Sequence, residues 1–193
     1  MESKQGLPVV SFASQAAWET WLEANHATSQ GLWLKIAKAD SGVGSVSYPE
    51  ALESAICYGW IDAQKASLDD QFWLQKFTPR GPRSKWSRLN CEKAADLLRQ
   101  GRMKPPGLVA IEQARQDGRW DAAYEPQSRA VVPDDLQREL DSNPTARAFF
   151  EGLDSRNRYA ILYRLHDAKK PETRRRRLEQ FLAMLSERRR IYP

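Results

Sequence analysis

The chain contains few of the residues from which metal sites and disulfide frameworks are built. Its 193 residues include two cysteines, Cys57 and Cys91, and two histidines, His26 and His166. Two cysteines are too few for a disulfide framework, so both are predicted to be buried free thiols in a reducing compartment. Without a CxxC or HExxH motif, His166 is expected to be half-buried and hydrogen-bonded rather than a metal ligand. We therefore predict no metal and no cofactor.

Long apolar runs and catalytic motifs are also absent. No stretch of about 18 apolar residues is present, which excludes a predicted transmembrane helix. The opening sequence MESKQGLPVVSF lacks the basic start and apolar stretch of a signal peptide, so we expect a cytoplasmic protein. Neither a phosphate-binding GxxxxGK[ST] loop nor a GxSxG nucleophile motif occurs. The sequence therefore shows no recognisable catalytic constellation.

What the chain does contain is typical of a globular protein. Hydrophobic residues make up 41% and aromatic residues 10% of it, enough to build a core. We predict the α+β class: a small sheet packed with helices in residues 1–120, a linker at 121–133, and an all-helical C-terminal extension at 134–193.

Local patterns locate the elements of the first part. They predict an edge strand at 9–12, a helix that Ser14 caps and that ends near Asn25, and a capping box at Ser47–Glu50 that starts a second helix. Residues 32–38 alternate like a half-buried strand, with Leu, Leu and Ile on one face and Trp33, Lys35 and Ala37 on the other. Residues 61–68 and 72–78 are predicted to pair as a hairpin.

After the hairpin, four or five helices are predicted. One starts at Ser84 or Ser87 and ends at Gly101, and another runs from Pro105 to Gly118. Further helix starts are expected at three places: Asn143–Pro144, Ser155 and Pro171. The last helix has an apolar stripe that we expect to dock on the core, made of Leu178, Phe181, Leu182 and Leu185.

Basic residues are concentrated in two segments. Residues 76–104 contain nine Lys or Arg against two acidic residues, and residues 156–193 contain twelve against four, in a chain of net charge +5. Such segregation favours anionic partners. If both segments formed one surface, the protein would bind nucleic acid, which is one alternative reading.

The strongest site candidate is the segment from Thr78 to Asn90. A helix start there would expose free N–H groups suited to an anion, and arginine adds planar, bidentate donors. The predicted anion-binding residues are Arg80, Arg83, Ser84, Lys85, Trp86 and Arg88, with the tryptophan offering a flat face to a ring.

A second candidate is a cleft formed by Trp60, Asp62, Lys65 and Trp73. Asp62 and Lys65 are an acid and a base near Trp60, which would suit an enzyme, although such a pair is more often a surface ion pair. An enzyme is therefore the other alternative to a non-enzymatic binding protein.

Several motifs together resemble one bacterial family. The segments GLWLKIAK, YPEALESAICYGWIDAQK, FWLQKFTPRGPRSKWSRLN, GRMKPPGL and AKKPETRRRRLEQFLAML are similar to the YdeI family, whose members are labelled bacteriocin-protection or OmpD-associated proteins. The resemblance implies a YjbR/CyaY-like fold, distantly related to frataxin, in a bacterial cytosolic protein that resists bacteriocins or envelope-active agents. It supplies no catalytic residues. The kinship with frataxin implies iron binding, which needs clustered carboxylates, and here only Glu19 and Glu23 lie together.

These observations favour a non-enzymatic binding protein with a cleft for a small anionic ligand, such as a phosphate-bearing compound. The residues expected to hold the anion most directly are Arg80 and Arg83, at the start of the helix that follows Ser84.

Overall fold

A computed structural model describes residues 2–193, and the chain divides into two compact units. Unit 1 ends at Ala123, and unit 2 runs from Tyr124 to Pro193. Unit 1 contains one sheet and four α-helices, and unit 2 is helical, so the predicted α+β class with a helical C-terminal part is confirmed. The elements of unit 1 are β1 (Ser3–Lys4), β2 (Leu7–Ser11), α1 (Gln15–Asn25), β3 (Leu32–Ala37), a 3₁₀ turn (Ala39–Ser41), α2 (Tyr48–Cys57), β4 (Trp60–Ser67), β5 (Phe72–Pro79), α3 (Arg88–Arg99) and α4 (Pro105–Gln116).

The sheet has five strands in the order β1-β2-β3-β5-β4. Strands β2 and β3 run parallel, because α1 crosses between them, and the other neighbours are antiparallel. The predicted hairpin of β4 and β5 is confirmed. A bulge between Asp62 and Lys65 shifts its register by one residue.

The core of unit 1 is rich in tryptophan. Trp18 of α1 is fully buried, and its ring lies 5.8 Å from Phe77 on β5 and 6.2 Å from Trp60 on β4. Its indole nitrogen donates to the carbonyl of Ala51 in α2 at 3.1 Å. A buried indole N–H usually has such a partner, and this bond joins α1 to α2.

The outer face of β3 is more buried than the alternation predicted. Trp33 is only 1% exposed and packs with Val9 and Leu74. The amines of Lys4 and Lys76 lie 5.4 and 5.8 Å from its ring. Long lysine side chains can cover apolar surface while their amines reach water, which explains how a residue opposite the main core is buried.

Helices α2 and α4 approach closely at their ends. The predicted capping box is present at Ser47 and Glu50, and Gly59 ends the turn after α2 with φ +71°. A Cβ on Gly107 in the first turn of α4 would lie 2.2 Å from the backbone oxygen of Cys57. Only glycine therefore fits at Gly107 without moving one of the two helices.

Unit 2 contains α5 (Asp134–Asp141), α6 (Pro144–Glu151), α7 (Ser155–His166) and α8 (Pro171–Ser186). Six helices thus follow the sheet, one more than predicted, because α5 was not foreseen. Asp154 rather than Ser155 caps α7, accepting from the Asn157 N–H. The stripe of α8 docks as predicted: Phe181 and Leu185 are buried, and Leu178 and Leu182 pack beside them.

Residues 191–192 are tied to α7 by one asparagine. The side chain of Asn157, 1% exposed, accepts from the backbone N–H groups of Ile191 (3.0 Å) and Tyr192 (2.9 Å) and donates to the Tyr192 carbonyl (3.2 Å). The guanidinium of Arg156 lies 4.3 Å from the Tyr192 ring. We refer to this arrangement as the Asn157 clasp.

Candidate functional site

The segment between β5 and α3 forms its own turn before the helix begins. Ser84 Oγ accepts from the backbone N–H of Gly81 at 3.0 Å, so Ser84 stabilises the turn rather than a helix. Ser87 caps α3 instead, accepting from the Asn90 N–H at 3.1 Å. Of the two caps predicted, Ser87 is thus the real one, and the helix start lies beyond Ser84.

Arginine side chains hold this segment through its backbone carbonyls. Arg80 donates to the Lys85 carbonyl at 3.2 Å, and Arg119 donates to the Ser84 carbonyl at 2.9 Å. The Arg88 side chain reaches the carbonyl of Asp121 at 3.5 Å. Guanidinium groups thus bind backbone carbonyls at several points, which stabilises the loop in this conformation.

Arg80 is also fixed by stacking. Its guanidinium carbon lies 3.6 Å from the centre of the Trp86 ring. Trp86 is 1% exposed and packs 5.0 Å from Trp120, so it is a core residue. Its expected role as an open flat face for a ligand ring is therefore not available. What Trp86 provides is a platform that orients Arg80.

Arg80 lines a cleft that the sequence did not delineate. The ends of β4 and β5 meet the end of α1 and one face of α4 there, around a space of about 330 Å³. We refer to this space as the Arg80 cleft. Its polar groups are Arg80, His26 and Gln113, and its walls include Trp60, Pro106 and Val109.

His26 is held with a defined proton arrangement. Its Nδ1 lies 2.9 Å from the Leu22 carbonyl. A carbonyl can only accept, so Nδ1 carries a proton in this arrangement. The backbone carbonyl of His26 accepts from the Trp60 indole at 3.2 Å, which ties the end of α1 to β4.

Tyr58 closes one side of the Arg80 cleft. Its hydroxyl donates to the Glu23 carboxylate at 2.5 Å. Burial and this hydrogen bond raise the pKa of Tyr58, so the phenol remains protonated. Val109 is 55% exposed beside it, which leaves an apolar rim open to a ligand.

The four residues of the second predicted cleft do not all line one depression. Trp60 is buried against the core and lines the Arg80 cleft. Lys65 and Trp73 line a different shallow depression, where the lysine amine lies 4.3 Å from the indole ring. Asp62 accepts from the Tyr48 hydroxyl at 2.9 Å. Each polar group thus has an aromatic partner of its own.

The remaining predicted residues lie at the surface. Arg83 and Lys85 are exposed and do not line the Arg80 cleft. His166 is exposed rather than half-buried. Among residues 2–193, no group of three or more His, Cys, Asp or Glu side chains is arranged to hold a metal ion. Both cysteines are buried and free, as predicted.

Comparison with known families agrees with this division of the chain. The chain consists of an α+β unit followed by a helical unit. Residues 10–110, just over half of the chain, match the model of a domain of unknown function, DUF8412. Residues 129–188 match the model described as Bacteriocin-protection, YdeI or OmpD-Associated. The chain belongs to the DUF8412 family, and its second unit is similar to the YdeI or OmpD-associated proteins.

No curated protein and no solved structure gave a significant match. In the described part of the chain, every helix is too short or too polar to cross a membrane.

Proposed function

We propose that this protein is a non-enzymatic binding protein that holds a small anionic ligand, such as a phosphate-bearing compound, in the Arg80 cleft. The observation on which the proposal rests is the placement of Arg80: its guanidinium is stacked on Trp86, and the residue lines the same cleft as His26 and Gln113. The family description associates such proteins with bacteriocin protection, and ligand capture would be the molecular event behind that association.

The arrangement favours an anion for two reasons. Arg80 is always charged, and a charge-assisted hydrogen bond to a phosphate or carboxylate oxygen is stronger than a neutral one. Stacking has already immobilised its side chain, so binding would lose little side-chain entropy.

The test compares two arginine variants. Phosphate or sulfate should raise the melting temperature of the parent more than chloride does at equal ionic strength. The Arg80→Gln variant should lose this anion-specific rise, since a charge-assisted hydrogen bond contributes about 1.5–3 kcal/mol, or roughly ten- to a hundredfold in Kd. Arg83→Gln is the matched control, because Arg83 is exposed and lies outside the cleft.

Arg80→Gln also removes the stack on Trp86, so each variant is compared with its own anion-free melting temperature. Titration calorimetry with pyrophosphate measures the same loss directly. Equal anion responses in the parent and in Arg80→Gln would refute the proposal.

A further inference from the structure

A second pocket lies wholly within unit 2 and belongs to neither predicted site. One wall is a stripe of α7: Tyr159, Leu162, Tyr163 and His166, at the i, i+3, i+4, i+7 spacing of one helix face. The segment before α5, which contributes Tyr124, Glu125 and Pro133 among others, and Arg174 from α8 complete it around about 190 Å³. We refer to it as the tyrosine pocket. The sequence shows the stripe but not that part of it faces an open space.

The three tyrosine rings are positioned against each other. The rings of Tyr124 and Tyr163 are perpendicular, with centroids 5.0 Å apart, and those of Tyr159 and Tyr163 are 6.0 Å apart. The Tyr159 hydroxyl donates to the Glu125 carbonyl at 2.8 Å, which ties the loop to α7. All three rings are partly exposed. A preformed aromatic wall is thus open to an edge or face of another ring.

The contacts of Arg174 argue against an anion in this pocket. Its Nε and one Nη donate to both oxygens of Asp135, at 2.6 and 2.8 Å, and its other Nη donates to the Leu165 carbonyl at 2.8 Å. The pair has no net charge, and an anion would compete with a carboxylate already in bidentate contact.

A cation is not favoured either. Arg174 and Glu125 both line the pocket, so a cationic ligand would meet a positive group as well as a negative one. Burial raises the pKa of Tyr159 to about 12, so its hydroxyl stays neutral and supplies no negative charge at physiological pH.

We infer that the tyrosine pocket binds one small uncharged ring compound, about the size of phenol. The volume fits, since an apolar cavity of about 150 Å³ is enough to hold benzene. The occupant would contact the rings of Tyr124 and Tyr163 and leave the Arg174–Asp135 pair intact. This site is independent of the Arg80 cleft, because it differs in unit, in lining and in the charge it accepts.

The first experiment uses three probes of similar size on the full chain: phenol, benzoate and benzylammonium. Amide chemical shifts are followed by NMR during each titration. Phenol should give saturable shifts in α7 and residues 124–133, and benzoate and benzylammonium should bind at least about tenfold more weakly. The tryptophans all lie in unit 1, so their indole N–H signals report any binding outside unit 2.

The second experiment removes one ring at a time. Tyr163→Leu and Tyr124→Leu should each weaken phenol binding by about three- to tenfold, the range expected when one aromatic contact is lost. Tyr192→Leu makes the same chemical change in the same unit, but outside the pocket, and should leave the phenol Kd unchanged. The parent's probe series decides the question even if Tyr163→Leu fails to fold.

Four results would overturn the inference: no saturable shift with phenol, equal or tighter binding of either charged probe, shifts confined to unit 1, or equal weakening in Tyr192→Leu. Selective phenol binding that both pocket variants weaken would support it.

Discussion

Replacing Asn157 with alanine should destabilise unit 2 by releasing the Asn157 clasp. Three hydrogen bonds join this side chain to the backbone of Ile191 and Tyr192, and a fourth joins it to the Asp154 carboxylate at 2.8 Å. At about 1 kcal/mol net for each bond to the tail, the loss is about 3 kcal/mol. In the variant, the backbone groups of Ile191 and Tyr192 can form hydrogen bonds with water. The larger penalty for buried unsatisfied polar groups is therefore not added to this value.

Urea unfolding followed by far-UV circular dichroism measures this loss. Native-state hydrogen exchange gives a local test, because the amides of Ile191 and Tyr192 should lose their protection in Asn157→Ala. Deleting residues 191–193 should destabilise unit 2 by a similar amount. In that shortened chain, Asn157→Ala should cost less than about 1 kcal/mol, since the partners are gone.

The reasoning would be refuted if Asn157→Ala cost the same in the full and shortened chains. It would also be refuted if the two amides stayed protected in the full-length variant. Either result would mean that residues 191–192 are held by something other than Asn157.

Three further predictions follow from single contacts. Gly107→Ala should lower the free energy of unfolding of unit 1 by about 2 kcal/mol or more in urea unfolding, because the new Cβ would lie 2.2 Å from the Cys57 carbonyl oxygen. Gly44→Ala is the control and should have little effect, since a Cβ there would have no atom within 4 Å. Equal losses in the two variants would contradict this prediction. The hydrogen bonds from Arg174 lower the pKa of Asp135, so the stability that they contribute is present above about pH 4 and is lost as pH falls through the folded pKa. Asp135→Asn should remove this contribution to the pH dependence of the melting temperature, measured from pH 7 to pH 2. Burial raises the pKa of Cys57 and Cys91 to about 11, so both should react slowly with iodoacetamide at pH 8 until unfolded, with no mass deficit of two hydrogens beforehand.

The sequence predicted best those elements whose signals are local. Ser14, the capping box at Ser47–Glu50 and the Asn143–Pro144 start all cap helices as expected. Each of these depends on residues within one helical turn, so no knowledge of the tertiary fold is needed. Helix α5 was missed because its eight residues bury only Leu136 and Leu140, too few for a periodic pattern.

Burial that depends on distant partners was harder to predict. Trp33 is buried by Lys4 and Lys76, which come from β1 and β5. Strand alternation shows which residues share a face but not what covers that face. The bulge in β4 is a further example, because only the register with β5 reveals it.

The candidate site shows the same difference between local signals and contacts with distant residues. Arg80 was singled out from its own segment, and it does line a cleft. The residues that share that cleft, His26 and Gln113, come from the end of α1 and from α4, and no short-range pattern links them to Arg80. Trp86 was expected to face a ligand, yet the core and the Arg80 guanidinium occupy its surroundings.

The division after Ala123 has a consequence for synthesis on the ribosome. Every strand of the sheet, and α4, whose Gly107 seats against α2, precede that boundary. At about 5–20 residues per second, the 70 residues of unit 2 take roughly 4–14 s to translate. Strand pairing and helix packing in small domains need far less time. Unit 1 can therefore complete its sheet while unit 2 is still being made, so its five strands are paired with one another before the last helices emerge.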